Sequence, residues 1–149
     1  MAAAVAYLES LGHSLADGQG SIEPASRREA IVRAMASIRD YEALLSEAML
    51  TEFDTAGAIV YGVDDPARVT ERVPTFCFRV PGVAPAQVSE TMSGRGIAIR
   101  DGHMYAPRLM KHLGLALDTG VNRASILHYN TLEEIHEFGK VLRDIVPGR

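Results

Sequence analysis

Two short runs, Gly96-Ile97-Ala98-Ile99-Arg100 and Asn122-Arg123-Ala124-Ser125, put a period of two into the second half of this chain. In the first, Ile97 and Ile99 alternate with Ala98 and Arg100, which predicts a half-buried strand ending at Arg100. Arg123 stands at the start of a second such strand, predicted from Asn122 to His128. If the two strands pair antiparallel, both guanidiniums come to one sheet edge and into one pocket. A guanidinium is a rigid fork of donors matched to a carboxylate. Two of them side by side point to an anionic group, such as the carboxylate of an amino acid.

The rest of the chain is read as elements around that sheet. Ala2 to Leu11 is alanine-rich with Val5, Leu8 and Leu11 at helical spacing, and Gly12 is expected to stop the helix. Asp17-Gly18-Gln19-Gly20-Ser21 has two glycines but no Lys-Ser/Thr ending and no strand before it, so it reads as a connection and not as a phosphate loop. Ser26 with Glu29 forms a capping-box signature. Ile31, Met35, Ile38, Leu45 and Met49 then give one apolar face as far as Leu50, a helix of about 24 residues spanning roughly 36 Å.

Beyond Ala56 the elements are short. Ala58 to Tyr61 and Thr75 to Val80 are predicted strands between glycines and prolines, with a polar loop from Val63 to Val73 between them. Pro85 opens a helix through Ser93, and a further helix runs from about Ala106 to Leu113, stopped by Gly114. Thr131 and Glu134 form a second capping box. Leu132, Ile135, Phe138, Leu142 and Ile145 are the buried face of the last helix, ended by Pro147-Gly148. Gly139 inside it costs about 1 kcal/mol against alanine, which predicts close packing against a neighbour. The fold class expected is α+β: a small, mainly antiparallel sheet of about four strands with helices on one face, preceded by a long N-terminal helix.

Composition narrows the function classes. With 149 residues and 47% hydrophobic content, one domain with a substantial core is expected. A formal net charge of -4 argues against a general nucleic-acid binder, which needs clustered Lys and Arg. No apolar run is long enough to span a bilayer, and no basic flank precedes the N-terminal alanines, so a cytoplasmic location is expected. The single cysteine, Cys77, lies between Phe76 and Phe78 and is read as a buried structural thiol. His13, His112, His128 and His136 show no zinc-like spacing, so no metal site is expected. Glu133 and Glu134 fit helix capping better than acid-base work.

The ordered motifs Arg100-Asp101-Gly102-His103, Arg123-Ala124-Ser125 and Tyr129-Asn130-Thr131-Leu132-Glu133-Glu134 resemble the C-terminal domain of class V aminotransferases, in the cysteine desulfurase and selenocysteine lyase branch. The similarity is most specific from Pro74 to Arg143. It implies a fold type I pyridoxal-phosphate enzyme acting on an amino acid, with Arg123 gripping the substrate's α-carboxylate and Arg100 and His103 at the active-site mouth. Residues 1–149 would then be the small domain, with a helical lead-in at 1–53 and an α+β core at 56–146, and the full enzyme would be a homodimer.

The sequence also departs from that family. Tyr105 stands where desulfurases carry the sulfur-accepting cysteine, and a phenol cannot form a persulfide. The only lysines, Lys111 and Lys140, do not match the cofactor-binding lysine of the absent large domain. The expectation is a C-terminal portion that binds substrate through Arg123, Arg100, His103 and Tyr105, holds no catalytic residue and is inactive alone. The alternative is a stand-alone α+β module that binds a small carboxylate.

Overall fold

The computed structural model describes residues 2–17, 24 and 26–147. The connection predicted at 17–21, past Asp17, and the terminating Gly148 lie outside them. The chain divides into two compact units, Met1–Glu42 and Ala43–Arg149. Among the described residues no helix is long and apolar enough to cross a membrane.

In the first unit, α1 runs from Ala2 to Asp17 and α2 begins at Arg27. Gly12 does not stop α1. It lies buried in the helix, and a Cβ there would overlap the backbone carbonyl of Ala30 on α2. The glycine marks a close helix-helix approach, sealed at the surface by an ion pair between Arg27 and Glu9 at 2.7 Å. The Ser26 hydroxyl accepts from the Glu29 amide at 3.3 Å, one half of the predicted capping box. The predicted apolar stripe is only partly right here: Ala30, Ala34 and Ile38 are buried, whereas Met35 is 49% exposed. α2 also outruns its predicted end at Leu50 and continues to Ala56. Phe53 and Ala56, both buried, extend the apolar face by two more steps.

The second unit is an α+β sandwich. Strands β1 (Ile59–Tyr61), β2 (Thr75–Arg79), β3 (Arg100–Gly102) and β4 (Val121–Ser125) form one sheet in the order β1-β2-β4-β3, every pair antiparallel. Between β1 and β2, the predicted loop contains a 3₁₀ turn at Pro66–Glu71, with Asp65 accepting from the Ala67 amide as its N-cap. Helices α3 (Pro85–Gly94), α4 (Pro107–His112) and α5 (Leu132–Ile145) complete the unit. Alternation then sorts the sheet's side chains. Phe76, Phe78 and Ala124 face inward and pack with Phe53, Val88 and Phe138 in the core. The Phe53 ring lies 4.7 Å from that of Phe78 and 5.5 Å, edge-on, from that of Phe138.

Polar contacts, one of them buried, tie the strands to the helices. Asn122, fully buried, donates its side-chain amide to the Pro85 carbonyl at 2.8 Å and so ties β4 to the start of α3. The Ser89 hydroxyl of α3 bonds the Asp101 carboxylate of β3 at 2.5 Å. At the foot of α5 the predicted capping box is complete: Thr131 and Glu134 bond each other's backbone amides, and Asn130 adds a bond to Glu134. Those bonds, led by the Asn130 side chain, lower the pKa of Glu134. A backbone bond at the helix start and the Thr131 hydroxyl lower that of Glu133. Both carboxylates are held ionised as helix-terminus groups.

Candidate functional site

Arg100 and Arg123 are partners in the register of β3 and β4, directly opposite each other across the ladder. Residues so paired share a face, with Cβ atoms about 4.5–5.5 Å apart. The antiparallel pairing that the sequence reading posed as a condition is therefore present, although the strand boundaries differ. β3 begins at Arg100 instead of ending there, and Ile97 to Ile99 form no strand. Ile97 and Ile99 pack against the core cluster from an irregular segment, so the alternation arises from packing and not from a ladder. β4 ends at Ser125, three residues before the predicted end.

The arginines lie on the face opposite Phe76, Phe78 and Ala124, a face that is fully buried at Val121 and partly exposed at Cys77 and Arg123. On β2, Cys77 is the register partner of Arg123, and Tyr61 of β1 is the partner of Cys77. One row thus crosses the sheet as Tyr61, Cys77, Arg123 and Arg100. The next row carries Thr75 and Ser125, whose hydroxyls lie 3.2 Å apart. The predicted burial of Cys77 is corrected: it is half-buried, because Phe76 and Phe78 point inward and the residue between them must point outward. Partial burial raises its thiol pKa above the ordinary value, and the positive charges of Arg123 and Arg72 offset part of that rise.

Beyond β3 the backbone turns tightly. Met104 and Tyr105 are consecutive residues in the left-handed region, with φ of 51° and 58°. Side chains rarely adopt that region, and each such residue costs on the order of 1 kcal/mol or more. Two local bonds hold the turn: the Tyr105 amide donates to Nδ1 of His103 at 3.1 Å, and the Ala106 amide to the His103 carbonyl at 2.8 Å. Behind it, Gly120 comes so close to Gly102 that a Cβ would overlap the Gly102 carbonyl. The result is a tyrosine 84% exposed, with the Arg100 guanidinium 5.6 Å from its ring centroid. Arg123, Arg100, His103 and Tyr105 are therefore brought together by one ladder and one turn.

Both arginines lie on the sheet face opposite Phe76, Phe78 and Ala124, Arg100 exposed and Arg123 half-buried. A cleft of about 450 Å³ lies elsewhere, between the irregular segment and α5, lined by Ile97, Ile99, Ile126, Glu134 and Phe138. Another of about 560 Å³ lies beside β1 and the 3₁₀ turn, lined by Tyr61, Val63, Glu71 and Arg72. Neither is lined by Arg100 or Arg123. Arg72 is held structurally: it donates to the carbonyls of Val63, Val73 and Thr75 and lies 3.8 Å over the Phe76 ring. Sequence reasoning passed over Arg79, which follows Cys77 by two residues on the same strand and so shares the arginines' face; the period-two rule that placed Arg123 would have found it.

The family model described as "Aminotransferase class-V" matches residues 31–138. Probable cysteine desulfurase 1 of Mycobacterium leprae is 34% identical over 107 residues, covering 72% of this chain and 16% of the relative. An aminotransferase-like protein, FGM3, of Gibberella zeae is 41% identical over 80 residues, 52% of this chain and 19% of the relative. The apo structure of a cysteine desulfurase from Thermococcus onnurineus NA1 matches with a TM-score of 0.69 at 28% identity, covering 87% of this chain and 33% of that one. The chain thus spans less than a fifth of these two curated relatives and a third of the solved structure. Because the family model matches more than half of this chain, the chain belongs to the class V aminotransferases and is cysteine desulfurase-like.

Proposed function

We propose that this chain supplies the part of a class V aminotransferase, desulfurase-like enzyme that receives the carboxylate of an amino-acid substrate, with Arg123 as the principal clamp and Arg100, His103 and Tyr105 around it. The observation that carries the reading is the direct opposition of Arg100 and Arg123. Like charges placed opposite each other on a ladder destabilise it, by a few tenths to about 1 kcal/mol. Among the described residues neither guanidinium makes a hydrogen bond or an ion pair. An arrangement that costs stability and leaves both forks unfilled fits a site that an anion completes.

Full-length enzymes of this family use pyridoxal phosphate, and in this reading neither lysine of the chain is placed to hold it. Lys140 is exposed and paired with Glu137 at 3.4 Å, and Lys111 is exposed on α4. Neither lines the clefts or occupies a strand position on the arginine face. The chain's share of the chemistry is to bind and orient the carboxylate, and the electron-withdrawing cofactor belongs to residues outside it. Tyr105 at the rim offers a phenol and a ring face but no thiol, so a reaction on cysteine that stores sulfur at that position is not part of this reading. In the complete enzyme the arginine face is proposed to meet the large domain within a homodimer.

Binding tests the reading. L-alanine titrated into the chain, followed by amide chemical shifts, should move the β3 and β4 signals saturably. Arg123→Ala should weaken binding by tens-fold or more, the loss expected of a bidentate, charge-assisted contact worth roughly 1.5–3 kcal/mol. Undiminished binding in that variant would remove Arg123 from the site.

A further inference from the structure

We propose that the sheet face opposite the aromatic core takes a doubly acidic ligand, with Arg79 holding the second acidic group while Arg123 and Arg100 hold the first. This rests on the carboxylate-clamp reading and names the substrate class of the same site. Arg79 lies on β2 two residues beyond Cys77, the register partner of Arg123, so Arg79 and Arg123 are diagonal neighbours on one face. Diagonal positions are separated by about 7–8 Å, within the combined reach of two arginine side chains. Arg100 flanks Arg123 on its other side. Three guanidiniums therefore span three adjacent strands.

No strand position on that face answers their charge. Its other strand positions are Ile59, Tyr61, Thr75, Cys77, Val121 and Ser125, with Gly102, and none is acidic. Among the described residues Arg79, Arg100 and Arg123 make no hydrogen bond or ion pair. Four other arginines of the unit are engaged: Arg68 with Glu71, Arg95 with Asp144, Arg143 with Glu52, and Arg72 with three carbonyls; Arg108 on α4, away from the strands, makes no such bond among the described residues. A single carboxylate satisfies the Arg100 and Arg123 pair and leaves Arg79 unanswered. A short ligand with acidic groups at both ends, as in an amino dicarboxylic acid, answers all three.

Succinate and butyrate separate the possibilities, since they share a four-carbon chain and differ by one charge. Amide shifts of the intact chain at low salt should give a succinate affinity about tenfold or more above that of butyrate, the ratio one added charge-assisted contact supplies. Arg79→Gln should bring succinate to within a few-fold of butyrate and leave butyrate unchanged, while Arg79→Lys should keep part of the preference. Arg123→Gln should weaken both acids. Equal affinity for the two acids in the native chain, or an Arg79→Gln effect equal on both, overturns the doubly acidic ligand and leaves the carboxylate clamp standing. Absence of binding by either acid overturns the clamp and this inference together.

Discussion

Glu52 on α2 is gripped from one stripe of α5. Its carboxylate accepts from Arg143 and lies 2.9 Å from Nδ1 of His136, and Gly139 sits between those two residues, where a Cβ would overlap the Glu52 side chain. The helix-interior glycine read from the sequence as a packing position thus has its neighbour, a carboxylate whose identity no local pattern announced. Burial raises the pKa of Glu52, but the hydrogen bonds from His136 and Arg143 outweigh it and hold the value below the ordinary 4.5. A carboxylate with a lower pKa folded than unfolded stabilises the fold above its unfolded value, and that contribution disappears as pH falls through the folded value. Arg143→Met should therefore cost about 1–3 kcal/mol at pH 7, discounted from a fully buried pair because Arg143 is one-third exposed. Urea midpoints checked at pH 7 and again below pH 4.5 should show the gap between variant and native chain narrowing in acid. A gap of the same size at both would mean that the charge of Glu52 does not stabilise the fold.

At the scale of elements, the sequence exposed the order of helices and strands more fully than their ends. Apolar periodicity and caps located α3, α5 and the strand β2 to within a residue or two, because Pro85, the Thr131 box and the aromatic pair of β2 act locally. It misplaced β3, since Ile97 and Ile99 mimic a strand while packing from an irregular segment, and ladder pairing is decided by β4. The arginine pairing was legible only as a condition, because the alternation at Ile97 and Ile99 that suggested the first strand is packing; Arg79 was within reach of the same period-two rule, whereas the turn at Met104 and Tyr105 carried no local signal. Gly12 was misread for a similar reason: a glycine that ends a helix and one that lets two helices touch look alike in a single sequence. Alanine in a helix interior gains about 1 kcal/mol over glycine, whereas overpacking costs typically 1–3 kcal/mol. Gly12→Ala should accordingly destabilise, seen as faster amide hydrogen exchange across α1. Gly94→Ala, where a Cβ meets nothing within 4 Å, should be neutral or stabilising in the same measurement. Slower exchange in Gly12→Ala would show that the two helices do not meet at Ala30.

Taken whole, the chain carries 19 acidic and 15 basic residues, a net charge of -4 that by itself predicts weak affinity for anions. Distribution reverses that expectation locally. Three of the basic residues share one sheet face, and its strand positions hold none of the acidic ones. Recognition by such a face is electrostatic over short range, so salt should report it. The Debye length falls from about 30 Å at 0.01 M to about 10 Å at 0.1 M and about 3 Å at 1 M. Attraction between partly exposed guanidiniums and a carboxylate is screened across that range, and a dianion loses more than a monoanion. The Kd for succinate should therefore rise several-fold between low salt and about 0.5 M NaCl, with a shallower rise for butyrate. Removing a guanidinium, as in Arg123→Gln, should flatten both slopes, because fewer charges remain to be screened. Affinities that ignore salt would mean that apolar contact and not charge holds the ligand, and the arginine face would then have to be read as structure alone.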